Sequence, residues 1–166
     1  MIWNKFSPVI VPALLVMVTG SARADFALRD GDTLAFLGDS ITEAGLWHEL
    51  FPDASVRNRG RGGDTVALLA ERLDQIVRGK PRAIFLQIGT NDLTHGPDNR
   101  ATSYQQYRNL IERIRTATPS TSLYVQSLMP RDAIFRTDIE AFNREIEEIA
   151  RDQGLPYINL YTHFLA

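Results

Sequence analysis

The chain has 166 residues, with 18 Lys and Arg against 20 Asp and Glu, and no cysteine. Without cysteine it has no disulfide framework, no thiolate metal site and no thiol nucleophile. A formal net charge of −2 with no long run of like charge argues against a basic face for nucleic acid, so no nucleic-acid partner is expected.

Residues 1–24 read as a secretory signal. A single Lys5 precedes the apolar stretch "FSPVIVPALLVMVTG", and "SARA" then places Ala22 and Ala24 in the small-residue pattern of a signal-peptidase site. The apolar stretch is short for a membrane span of about 20 residues and contains Pro8 and Pro12, so a cleaved signal is favoured over an anchor. Cleavage after Ala24 predicts a periplasmic or secreted protein with no stable membrane anchor. Removing Lys5 and Arg23 leaves 16 basic residues against 20 acidic ones, a net −4. Residues 25–166 are then expected to form one domain, large enough for a real core.

Along that domain, apolar runs and helical periodicities alternate. "DTLAFLG" predicts a first strand and "ITEAGLWHELF" a helix; "SVRNRG" predicts a short second strand. "DTVALLAERLDQIVRG" predicts a helix with Val66, Leu69, Leu73, Ile76 and Val77 on one stripe and Gly79 as its stop. "RAIFLQIG" is a continuous apolar run of the kind buried on both faces of a sheet. "SYQQYRNLIERIRTATP" predicts a helix capped by Ser103 and stopped before Pro119, and "TSLYVQSLM" a fourth strand. "RTDIEAFNREIEEIARDQG" predicts a helix with Ile139, Phe142, Ile146, Ile149 and Ala150 inward, and "PYINLYT" a fifth strand. Such alternation implies an α/β domain, a mostly parallel sheet with helices on both faces, whose ligands bind beyond the carboxyl ends of the strands.

Three polar clusters fall at that end. Gly38-Asp39-Ser40 follows strand one, Asn58 to Thr65 with Gly60, Gly62 and Gly63 follows strand two, and Gly89-Thr90-Asn91-Asp92 follows strand three. A serine opening a helix can display its oxygen where unpaired backbone N–H groups favour negative charge. A glycine turn lets a backbone N–H approach a reacting oxygen, and an asparagine can offer a side-chain N–H to the same point. Each piece alone also reads as an ordinary cap or turn. The conjunction points to nucleophilic chemistry on an acyl group.

"FLGDSIT", "NRGRGGDT" and "IGTNDL" resemble the first three sequence blocks of the SGNH hydrolase family, the GDSL-type esterases and lipases, and the resemblance extends over nearly all of residues 32–161. It implies a flavodoxin-like three-layer α/β/α fold with a five-stranded parallel sheet, and hydrolysis of carboxylic or thio esters through an acyl-serine. Carried over by position, Ser40 is the nucleophile, and its own N–H, the Gly63 N–H and the Asn91 carboxamide form the oxyanion hole. Asp39 and Asp64 are implied to hold the turns. No metal or organic cofactor is implied, and the implied partner is a small acyl-ester substrate.

The family's base is a histidine in an Asp-x-x-His block after the fifth strand, and here only "THFLA" follows "PYINLY". The domain is therefore expected to be incomplete at its C-terminus, a fragment or frameshifted product; the alternative is a weakly active or inactive domain that binds acylated sugar or lipid. His163 lacks an aspartate three positions earlier, where Leu160 stands, and His48 beside Trp47 suits packing or surface. His95 has Asp-x-x-His spacing with Asp92, but on the loop after strand three. A metal site of Asp39, Asp92 and His95 is a minor alternative. A dinucleotide fold would need its glycines after strand one. A phospho-acceptor domain would need an acidic pair there and a lysine near strand five, and beyond the signal the only lysine is Lys80.

Overall fold

The computed structural model describes residues 31–95 and 99–165; the expected signal segment, residues 1–24, lies outside the described residues. Five strands, β1 (Thr33–Gly38), β2 (Ser55–Gly60), β3 (Ala83–Gln87), β4 (Ser122–Gln126) and β5 (Tyr157–Ile158), pair in parallel in the order β2-β1-β3-β4-β5. This is the flavodoxin-like order, and it reverses direction between β1 and β3. Register sets Gly38 beside Gly60 on one side and Gln87 on the other, so the three polar clusters leave from neighbouring points of one sheet edge.

Helices cover both faces, as the alternation predicts. On one face, α3 (Val66–Glu71), α4 (Leu73–Val77), α5 (Arg100–Ala117) and α6 (Arg136–Asp152) pack on Ala35, Leu37, Ile84, Leu86 and Val125. The predicted stripes of these helices are buried throughout. On the other face lie α1 (Ser40–Glu43), α2 (Trp47–Leu50) and α7 (Leu160–Leu165). The core there is a row of stacked rings: Trp47 on Phe36 at 4.1 Å, Phe36 on Phe85 at 4.9 Å and Phe85 on Tyr124 at 5.0 Å. Phe36, Phe85 and Tyr124 are register partners on β1, β3 and β4, so the pleat itself lines up the stack.

Four local expectations change. The helix expected over 41–51 is two single turns, α1 and α2, because the Trp47 indole N–H donates to the Thr42 carbonyl at 2.8 Å and Gly45 N–H shares that acceptor. The helix over 66–77 breaks at Arg72, whose backbone leaves the helical region while its side chain turns inward. Ser103 is not a cap: α5 begins at Arg100, and Ser103 Oγ donates back to the Asn99 carbonyl at 3.3 Å. The fifth strand is two residues long. Asn159 Oδ1 accepts from Thr162 N–H at 3.1 Å, starting a helix where alternation suggested more strand.

The break at Arg72 serves a buried carboxylate. Asp64, with 1% of its side chain exposed, accepts from Arg72 Nε at 2.6 Å and from Arg61 Nε at 2.7 Å. Arg72 Nη2 continues to the carbonyls of Arg59 at 2.8 Å and Gly38 at 3.3 Å, tying the ends of β2 and β1 together. Arg72 is mostly buried, whereas Arg61 is about half exposed. Removing one partner of a buried ion pair strands the other charge and costs about 3–5 kcal/mol, whereas an exposed pair contributes about 1 kcal/mol or less. Urea unfolding at neutral pH should therefore show Arg72→Ala losing about 3–5 kcal/mol and Arg61→Ala no more than about 1 kcal/mol. Equal losses would contradict this division of labour.

Candidate active site

Ser40 is the first residue of α1, immediately beyond β1, and its side chain is exposed at the switch point of the sheet. Gly38 can have no side chain here, because a Cβ would collide with Thr42 and the Gln87 carbonyl. The chain therefore passes tightly between its neighbours and turns at once. Asp39 caps α1, its Oδ1 accepting from Ile41 N–H at 2.9 Å. Asp39 is buried and its Oδ2 has no hydrogen-bond partner. Burial lifts its carboxyl above the ordinary carboxylate range; the Ile41 N–H and the Arg131 guanidinium pull it back, and the Asp64 charge adds to the lift. α1 is only one turn long, so its dipole is far weaker than the sequence suggested.

The glycine turn after β2 lies against this helix. A Cβ on Gly62 would stand 3.9 Å from Ser40 Cβ, which places the turn beside the serine. Gly63 has φ +80 and open space around it. Asp64 N–H donates to the Arg61 carbonyl at 3.2 Å and closes the turn. The Gly62 N–H is occupied, donating to Glu43 Oε2 at 2.9 Å.

Asn91 is half-buried after β3. Its Nδ2 donates to the Asp64 carbonyl at 2.8 Å, so the carboxamide that the sequence suggested for an oxyanion is also a strut between the loops after β2 and β3. Asp92 is structural in the same sense: its Oδ2 accepts from Val66 N–H at 3.1 Å and caps α3 from another loop. Arg131, beyond β4, reaches the Thr90 carbonyl at 3.1 Å while lying 4.4 Å over the Phe135 ring.

The structure thus gathers one cluster: Asp64 is bonded to Asn91, and the Gly62 end of the glycine turn lies beside Ser40. It does not bring His48 or His163 to that cluster. His48 is 74% exposed on α2, 3.9 Å from Glu49, and His163 on α7 lies edge-on to Phe164. His95 closes the short 3-10 turn Asp92–His95. Among the described residues, no three His, Cys, Asp or Glu side chains gather as a metal ligand set. The sequence reading missed Arg72, Glu43, Asn58 and Arg131. Each acts on a backbone carbonyl or amide of a distant loop, which residue type alone does not reveal.

Comparison with known proteins places this arrangement. Residues 36–166 match the model of the GDSL-like Lipase/Acylhydrolase family. Over 138 residues the chain is 25% identical to platelet-activating factor acetylhydrolase IB subunit alpha1 of Rattus norvegicus, covering 80% of this chain and 57% of that protein. Over 109 residues it is 29% identical to the alpha2 subunit of Homo sapiens, covering 62% and 46%. The chain spans about half the length of these curated relatives. Axe2, an acetylxylan esterase from Geobacillus stearothermophilus solved as a catalytic histidine-to-alanine mutant, shares the fold with a TM-score of 0.66 at 20% identity, covering 82% of this chain and 80% of that one. A family match over residues 36–166, on a sheet of the expected order with its polar clusters at one edge, means that the chain belongs to the GDSL-like lipase/acylhydrolase family.

Proposed function

We propose that this protein is an exported serine ester hydrolase in which Ser40 carries the acyl group. The observation that supports this reading best is the position of Ser40: exposed at the switch point, with the glycine turn against it and Asn91 fastened to the same turn. In the proposed reaction the Ser40 oxygen attacks the acyl carbon and gives its proton to a base, which returns it to the departing alcohol. The carbonyl oxygen becomes an oxyanion, and its collapse expels the alcohol. Water then attacks the acyl-serine and releases the acid, regenerating Ser40.

Three donors are assigned to the oxyanion. The N–H of Ser40 stands at the first position of a helix, where no intrahelical acceptor exists. Since Gly62 N–H is engaged by Glu43, Gly63 is the glycine of the pair assigned to the hole. Asn91 is the third; its bond to the Asp64 carbonyl orients the carboxamide beside the glycine turn. The names of the relatives, an acetylhydrolase and an acetylxylan esterase, favour a small acyl group. The signal-like segment supports export to the periplasm or beyond.

A second reading is a domain that binds acylated sugar or lipid without turning it over. It is favoured by one observation: no hydrogen-bonded base reaches Ser40 Oγ among the described residues. Serine at its free pKa is a poor nucleophile, so turnover decides between the two.

Hydrolysis of p-nitrophenyl acetate above the buffer rate is the expected outcome, with Ser40→Ala returning the rate to that of buffer. Turnover that survives Ser40→Ala would refute the acyl-serine. Asn91→Ala should lower kcat by about 10²- to 10³-fold. A thermal melt run alongside separates this from loss of the strut to Asp64. Gly63→Ala should lower kcat more than Gly63→Asn, because asparagine tolerates the left-handed backbone that φ +80 requires and there is room for either side chain.

A further inference from the structure

Glu43 is unassigned by the reaction above, yet it touches the glycine turn beside Ser40. It stands three residues after Ser40 and ends α1. Its Oε2 accepts from Gly62 N–H at 2.9 Å, a bond across 19 residues. Asn58 ties the same two segments. Its Nδ2 donates to the Glu43 carbonyl at 2.9 Å and more weakly to that of Gly45 at 3.4 Å, while its Oδ1 accepts from Gly60 N–H at 3.0 Å. The fit is close. A Cβ on Gly60 would collide with the Thr42–Glu43 backbone, and one on Gly62 would stand 3.1 Å from Glu43 Oε2.

Glycine has the widest backbone freedom of any residue, and this turn carries two in succession. Such a turn blurs any N–H it presents unless something holds it. Asn58 fixes its entry at Gly60, and the Asp64 ion pairs fix its exit. The stretch between needs its own anchor, and Glu43 supplies one. A carboxylate accepting from a backbone N–H is a charge-assisted bond, stronger than its neutral counterpart. Holding the Gly62 N–H fixes the peptide plane before Gly62, so only the φ and ψ of Gly62 separate the Gly63 N–H from an anchored plane.

We propose that Glu43 is a positioning residue: by holding Gly62 against the helix that bears Ser40, it sets the Gly63 N–H for the ester's oxyanion. The catalytic consequence rests on the hydrolase reading; the clamp rests on the hydrogen bonds alone. The role proposed for Glu43 involves no proton transfer: its Oε2 accepts from the Gly62 amide.

The test compares the full chain with Glu43→Ala and Glu43→Gln, with Glu49→Ala on α2 as a control for surface charge. Amide hydrogen exchange read by NMR should show Gly62 and Gly63 exchanging about 10-fold faster or more in Glu43→Ala, near wild type in Glu43→Gln, whose Oε1 still accepts, and unchanged in Glu49→Ala. On p-nitrophenyl acetate, Glu43→Ala should lower kcat about 10- to 100-fold with KM little changed, and Glu43→Gln should restore most of it. Wild-type exchange at both glycines in Glu43→Ala would overturn the clamp. A loosened turn with unaltered kcat would overturn the positioning role. A wild-type chain that turns over no ester would count against the hydrolase reading, and the exchange data alone would then decide the clamp.

Discussion

A carboxylate withdrawn from water must receive from the protein what water gave it, and at Asp64 that demand organises the whole carboxyl edge of the sheet. Its two oxygens take one arginine each, and its own carbonyl takes Asn91. Arg72 Nη2 then donates to carbonyls at the ends of β1 and β2. Loops from three strands are thereby joined through one residue. Elements that present reactive groups are usually the least stable parts of a fold. Here the glycine turn and the asparagine are instead fastened to an ion pair that is itself mostly dry.

The sheet order explains why those loops meet. β1 and β3 lie side by side, and the chain leaves β1 toward one side of the sheet and β3 toward the other. Sheets of this order bind ligands in a crevice between such departing segments, and Ser40 and Asn91 lie on the two segments here. Both strands are buried along nearly their whole length. The candidate site therefore rides on two buried central strands, the kind of support a precisely held site requires.

Much of this was legible in the sequence, for identifiable reasons. Ser40, Gly63 and Asn91 stand out because their residue types are chemically apt at strand ends, and strand ends follow from hydrophobic period. The continuous run Ala83 to Gln87 and the stripe from Ile139 to Ala150 could be read directly, since burial on two faces or one leaves different patterns. What escaped is whatever depends on a side chain competing for a backbone group. The indole of Trp47 interrupts a helix that propensity favours, and Asn159 starts one where alternation looked like strand. Asn91 stands out in the sequence by residue type, but its strut to Asp64 does not, because it joins residues 27 apart. Nothing in residue type sets Glu43 or Arg72 apart from other charges in helical stretches. Their partners include main-chain atoms, which carry no signature in residue identity.

The placement of Trp47 gives the molecule an optical reporter of its own. The chain has two tryptophans, and the other, Trp3, belongs to the first 24 residues. Trp47 stacks on Phe36 of a central strand and donates through its indole to the very helix turn that Ser40 begins. An excited indole is sensitive to both contacts, so the emission of a chain starting at Asp25 would register any displacement of that turn without a label. Occupancy of the crevice could then be followed as light.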